Sequence, residues 1–172
     1  MFRTPTTPQQ IDVWRQVNSE HERLEFKEAK AQFDYDTLLQ YCVALANEGG
    51  GTLLLGIADK QPRPVVGTSA FPDIIKTTGQ LFNKLHFRVD IEEVAHPDGR
   101  VLVFHIPSRP VGQPYELDGS YLMRAGESLV AMTADRLRQI FAEGDLSQQA
   151  KPQKHRKRLL LRMWLNLPLP KT

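Results

Sequence analysis

The sequence predicts an α/β (α+β) domain, a mixed β-sheet with flanking helices, and three observations lead there. Segments with helical spacing alternate with strand-length apolar runs, in the order helix, strand, helix, strand, helix, strands, helix. The triplet Gly49-Gly50-Gly51 separates a well-marked helix from a continuous apolar run. A Pro97-Asp98-Gly99 turn joins two runs of strand composition. With 172 residues, 41% hydrophobic and 24% charged, the chain is long enough for one domain with a real core plus a terminal extension, and its composition excludes wholesale disorder.

Taken in order, Thr7-Pro8 reads as an N-cap followed by proline at the first helical position, with Ile11, Trp14 and Val17 at helical spacing, so residues 1–17 form an N-terminal helix. Leu24 and Phe26 alternate with Glu25 and Lys27, which is strand spacing, although Ser19-x-x-Glu22 resembles a capping box and keeps a helix through Glu28 open. From Asp34 or Asp36, residues Tyr35 to Glu48 place Leu38, Leu39, Cys42, Val43 and Ala46 on one helical face. Thr52 to Ala58 then reads as a strand buried on both sides, with Asp59 at its end.

Pro72 to Leu85 carries apolar residues at near-helical spacing, weakened but not broken by Gly79. Val89–Val94 and Val101–Ile106 are adjacent antiparallel strands, and Gly119–Arg124 is another, turned by Ala125-Gly126. Thr133 caps a final helix, Ala134 to Ala142, that Gly144 ends. Residues 18–144 are thus the main domain, and 145–172 are a basic linker and tail in which a short amphipathic helix fits around Leu159–Leu165.

A single cysteine, Cys42, excludes an internal disulfide framework and a multi-cysteine zinc site, and fits a reducing compartment. The N-terminus lacks the apolar core of a signal peptide, and no run of about 18 apolar residues offers a membrane span. A cytoplasmic protein with no membrane partner is expected. The net charge of +2 conceals an asymmetry: residues 151–172 hold seven of the 22 basic residues and no acid, leaving 15 basic against 20 acidic residues elsewhere. Arg156, Lys157 and Arg158 in that tail would draw phosphate by charge alone.

The chemistry concentrates around Glu20-His-Glu-Arg-Leu-Glu-Phe-Lys27. On a strand, Glu25 and Lys27 share one face while Leu24 and Phe26 enter the core. If Asp59 lies beside them, Glu20, Glu25 and Asp59 form a carboxylate cluster with a lysine next to it. That set suits Mg2+ or Mn2+, hard cations that prefer oxygen ligands. Such a site supports phosphodiester cleavage, with Lys27 positioning the phosphate. The plain alternative is a solvated Glu/Lys face.

The glycine triplet lacks the lysine a phosphate loop requires, so it reads as a turn that stops the helix and lets backbones approach closely. His21, His86, His96 and His105 show no metal-ligand spacing with Cys42. Tyr115, Tyr121 and Arg124 read either as an aromatic and basic binding edge or as packing.

The pattern Glu20-x-x-x-x-Glu25-Phe-Lys27, followed by Ala44-x-Ala-Asn47-x-Gly49-Gly50-Gly51-x-Leu53-x-x-Gly56-Ile-x-Asp59, resembles the Schlafen AlbA-like (AlbA_2) domain over about residues 18–143. Val101–Pro107 before Pro114-Tyr115, then Tyr121-x-x-Arg124-x-Gly126, agree in order. The resemblance implies an α/β domain in which Glu20, Glu25 and Asp59 match the metal-binding carboxylates of a nuclease site and Lys27 a lysine of the same site. It implies cleavage of structured RNA, notably tRNA, with Mg2+ or Mn2+, or else a DNA- or RNA-binding regulatory module without catalysis. This chain carries one copy of a core that the Schlafen nucleases duplicate into a clamp, so a clamp built from it would need a homodimer. An ATP-binding role, another label in the family, finds no Walker A residues here.

Overall fold

A computed structural model describes residues 4–16, 23–126 and 128–149, with side chains through 144. Its first element, α1 (Pro8–Arg15), begins as the sequence predicts: the Thr7 hydroxyl accepts the Gln10 N–H at 3.2 Å, and Pro8 opens the helix. Val17, placed in this helix by its spacing, lies outside the described residues.

The strand β1 (Leu24–Lys27), the helix α2 (Tyr35–Asn47) and the strand β2 (Gly51–Leu55) form a parallel β-α-β unit, with Glu25 opposite Leu53 and Lys27 opposite Leu55. A helix through Glu28 is excluded, because the backbone is extended from Leu24. Asp34 caps α2 by accepting from the Thr37 N–H and hydroxyl at 2.8 and 2.7 Å. At its other end Gly50 has φ +85°, and a Cβ there would sit 2.8 Å from the Ser108 nitrogen. The glycine triplet is therefore a helix stop packed against the chain after residue 106, as expected for a turn of close approach.

β2 is shorter than the apolar run that signals it. The strand ends at Leu55; Gly56 turns with φ +97°, and Ile57 makes an isolated bridge to Val65. α3 (Ile74–Leu85) starts at the Asp73 cap and accommodates Gly79. β3 (Asp90–His96) and β4 (Gly99–Ile106) make the expected hairpin, His96 opposite Gly99. The first sheet has the order β1-β2-β4-β3, with only β1 and β2 parallel. β2 lies inside it, which is why its residues are apolar on both sides.

A second, antiparallel sheet comprises β5 (Glu116–Leu117), β6 (Ser120–Ala125) and β7 (Ser128–Ala131). Its last strand was not legible in the sequence, since Ser128-Leu-Val-Ala is short and shows no alternation. Thr133 caps α4 (Ala134–Gln149), but Gly144 does not end this helix. It serves close approach instead: a Cβ on Gly112 would fall 2.6 Å from the Gly144 Cα. Residues 145–149, read as linker, are the last turns of α4.

The core has two parts, one on each face of the first sheet. Ile11 and Trp14 of α1 cover Leu24, Phe26, Leu54, Val101 and Val103. On the opposite face α2 packs between the sheets, with Leu38, Leu45, Leu53, Leu55 and Phe104 buried and Leu122 and Leu129 of the second sheet against them. Asn47, fully buried at the end of α2, holds the second sheet in place. Its amide donates to the Tyr115 carbonyl at 2.9 Å and the Leu122 carbonyl at 3.0 Å, and its oxygen accepts the Tyr115 N–H at 2.7 Å. Alanine at this position leaves three backbone groups without these partners. Asn47→Ala is expected to lower unfolding free energy by about 2–4 kcal/mol, read by urea denaturation. Asn47→Asp is expected to fail similarly, because a carboxylate cannot make the two donations.

Candidate functional site

Strand alternation sends Phe26 toward α1 and sends Glu25 and Lys27 toward α2. That second face is not the wet surface its composition suggests. Glu25 is 0% exposed on an edge strand of the first sheet, among the described residues, because α2 and β6 close over it. A buried carboxylate is costly unless cations and hydrogen bonds compensate it. Here two cations do so: the Lys27 Nζ lies 2.8 Å from Glu25 Oε1, and the Arg124 guanidinium of β6 contacts Oε2.

Lys27 also reaches Asp59. Its Nζ is 3.2 Å from Asp59 Oδ2 and 5.4 Å from the centroid of the Tyr41 ring. Asp59 follows the Gly56 turn at the end of β2, where Oδ1 accepts the Glu28 N–H at 3.1 Å and its carbonyl accepts from Arg63 Nε at 3.3 Å. The Arg63 guanidinium lies over the Phe26 ring at 4.8 Å. Burial pulls the Lys27 pKa down, but the Glu25 carboxylate, with Tyr41 and Asp59, outweighs it and holds the ammonium above its ordinary value. Burial, then the Glu25 charge, pushes the Tyr41 phenol up.

The structure thus brings Asp59, 32 residues farther along the chain, up to Lys27 and through it to Glu25. Lys27 is the hinge of the cluster. Its outer side opens into a cavity of about 440 Å³ lined by Lys27, Glu28, Phe33, Asp59 and Lys60 with Ala29 and Ala58. Phe33 and Lys60 were not singled out from the sequence, since nothing in their spacing ties them to Glu25. Glu20, Arg156, Lys157 and Arg158 lie outside the described residues.

Tyr115, Tyr121 and Arg124 do not meet at one edge. Tyr115 stacks on Phe87 with ring centroids 4.3 Å apart, and Arg124, only 8% exposed, turns inward to Glu25. Tyr121, three residues earlier on the same strand, points to the opposite face of β6. Burial alone raises the Cys42 thiol to about 12, so it stays protonated and unreactive.

A divalent cation is not accommodated by the described residues as they stand. Both Glu25 oxygens face cations, and the Lys27 ammonium already occupies the space between Glu25 and Asp59. Asp59, with its side chain 46% exposed, is the carboxylate of this pair with open solvent access. Among the described residues no three His, Cys, Asp or Glu side chains gather to hold a metal.

A family model described as Schlafen, AlbA_2 matches residues 20–133. Among solved structures the chain is similar to the DIP2311 protein from Corynebacterium diphtheriae, with TM-score 0.56 and 22% identity, over 71% of this chain and 27% of that one. It is also similar to the N-terminal domain of a protein from Nitrosomonas europaea described as ATP-dependent DNA helicase RecG-related. There the TM-score is 0.50 and the identity 17%, over 75% of this chain and 93% of that domain. This chain therefore spans about a quarter of the Corynebacterium protein, 27% of its length. At these identities the likeness shows a shared fold. No curated protein matches the chain.

Three outcomes follow from the ion cluster. Arg124→Met is expected to destabilise the fold by about 3–5 kcal/mol, as removal of one partner of a buried pair does. In a denaturation double-mutant cycle, Glu25→Leu with Arg124→Met is expected to cost clearly less than the two single changes added; simple additivity would mean the two groups are not coupled. A raised folded-state pKa stabilises the fold fully below the ordinary lysine value of 10.5 and loses that contribution as pH climbs through the folded value. The stability difference between wild type and Lys27→Met should therefore stay flat from about pH 7 to about pH 9 and shrink only in stronger alkali.

Proposed function

This chain belongs to the Schlafen AlbA_2 family, and on that premise we propose that it binds nucleic acid at the cavity beside Lys27 and Asp59. The observation that carries this reading is the Lys27 ammonium, kept charged at the cavity wall by Glu25 and Asp59, with Lys60 on the same cavity. A fixed cation of this kind suits a phosphodiester better than a mobile surface lysine does, because its position is already paid for by folding. The N. europaea relative in fold, described as DNA helicase RecG-related, is in keeping with a nucleic-acid partner. No described helix is long and apolar enough to cross a membrane.

A second reading takes the convergence of Glu25, Lys27 and Asp59 as the remnant or the core of a metal-dependent endoribonuclease acting on structured RNA such as tRNA. It requires Glu20 to join Asp59 as a ligand of Mg2+ or Mn2+, and it requires Glu25 to release one of its two cations. The basic residues Arg156, Lys157 and Arg158 would add phosphate contacts in either case, and a homodimer would supply a second copy of the surface.

The full chain is tested against labelled tRNA and a DNA duplex at several salt concentrations, with and without Mn2+. Binding alone predicts an affinity that falls with salt, weakens about tenfold in Lys27→Ala, and falls with a shallower salt slope once residues 151–172 are removed. Cleavage in Mn2+ that is lost in Asp59→Ala and Glu20→Ala would establish the endoribonuclease. Unchanged affinity in Lys27→Ala, without cleavage, would remove this cavity from the account.

A further inference from the structure

Among the described residues, Phe33 is the one large apolar side chain on the cavity wall, and neither the ion cluster nor the binding at Lys27 uses it. Part of it packs against the core around α2, with its ring 6.4 Å from that of Tyr41 and tilted by 35°. The rest faces the cavity. Among the described residues the charges on the lining balance, Lys27 and Lys60 against Glu28 and Asp59. Glu28 is further neutralised by Lys30 at 2.7 Å, and Lys27 by Glu25. A ligand dense in negative charge, such as a nucleoside triphosphate, gains little from such a wall. A unit with one phosphate charge, hydroxyl or amine donors and a flat π-face matches it group for group: a lysine for the phosphate, carboxylates that accept from hydroxyl or amine, and an aromatic ring for the base. The volume of about 440 Å³ falls within the range of small-ligand sites.

We propose that the cavity receives one unstacked nucleotide of a single-stranded segment, with its base against the Phe33 ring, and that Phe33 thereby selects unpaired over paired nucleic acid. The inference rests on the nucleic-acid reading above and adds the form of the substrate. A paired base has both faces occupied by its neighbours in the helix and cannot reach the ring without leaving the stack. A free or looped base offers its face at no such cost, and stacking on an aromatic side chain tolerates any base identity.

The experiment uses the full chain, a short single-stranded oligonucleotide carrying 2-aminopurine, and the same strand annealed to its complement. Affinity is read by anisotropy and stacking by 2-aminopurine fluorescence. Wild type is expected to bind the single strand more tightly than the duplex and to change the 2-aminopurine emission. Phe33→Leu keeps an apolar group against Tyr41 but removes the ring. It is expected to weaken single-strand binding by about five- to 150-fold, the range for one base on one aromatic ring, to abolish the emission change and to leave duplex affinity unaltered. Phe33→Trp is expected to restore both signals. Single-strand binding and emission unchanged in Phe33→Leu would overturn the stacking role while leaving the nucleic-acid reading intact. No binding of either form by wild type would overturn that reading, and this inference with it.

Discussion

Burying the Glu25 carboxylate between Lys27 and Arg124 sets the terms for the rest of this molecule. The two cations come from different sheets. A charge that cannot be left alone in a dry interior therefore ties β1 to β6, and any loosening of the second sheet would strand it. Three hydrogen bonds from Asn47 guard against that loosening by fastening the strands β5 and β6 to the end of α2. The bidentate contact of Arg109 with Glu143, at 2.8 Å to each oxygen, adds α4 to the same junction, while Arg109 Nε also donates to the Asn47 carbonyl.

This arrangement couples stability to the candidate site. Lys27 owes its fixed position to Glu25 on the inside and to Asp59 on the outside, so the group that faces the cavity is held by the group that cannot face it. The burial of Glu25 also shapes the choice between chemistries. A carboxylate with two cations on its oxygens orients its neighbours well and is a poor metal ligand, because coordination would require dismantling contacts that the fold relies on.

Much of the scaffold was legible because local signals and tertiary context agree. The caps at Thr7, Asp34 and Thr133 mark helix starts by satisfying free backbone N–H groups within one turn, and the apolar run before Gly56 marks a strand enclosed on both sides. Where a second influence decided, local reading missed. Gly144 stays inside a helix because another backbone, at Gly112, packs against it, and no rule of sequence spacing carries that information. Ser128–Ala131 becomes a strand because β6 offers it a pairing edge rather than through its own pattern.

The residues Glu25 and Lys27 share a face by the period of a strand, and that much follows from the sequence alone, as do the helix stop at the glycine triplet and the family resemblance of the motif that links it to Asp59. Which face they share was decided only by tertiary structure. The same alternation fits an exposed strip or a buried one, and the difference is made by α2 and by Arg124, nearly a hundred residues along the chain, closing over β1. Likewise the approach of Asp59 to Lys27 depends on the parallel register of β1 with β2 and the turn at Gly56. These are long-range contacts, fixed by packing energies shared across the whole core, so no local pattern of side chains can encode them.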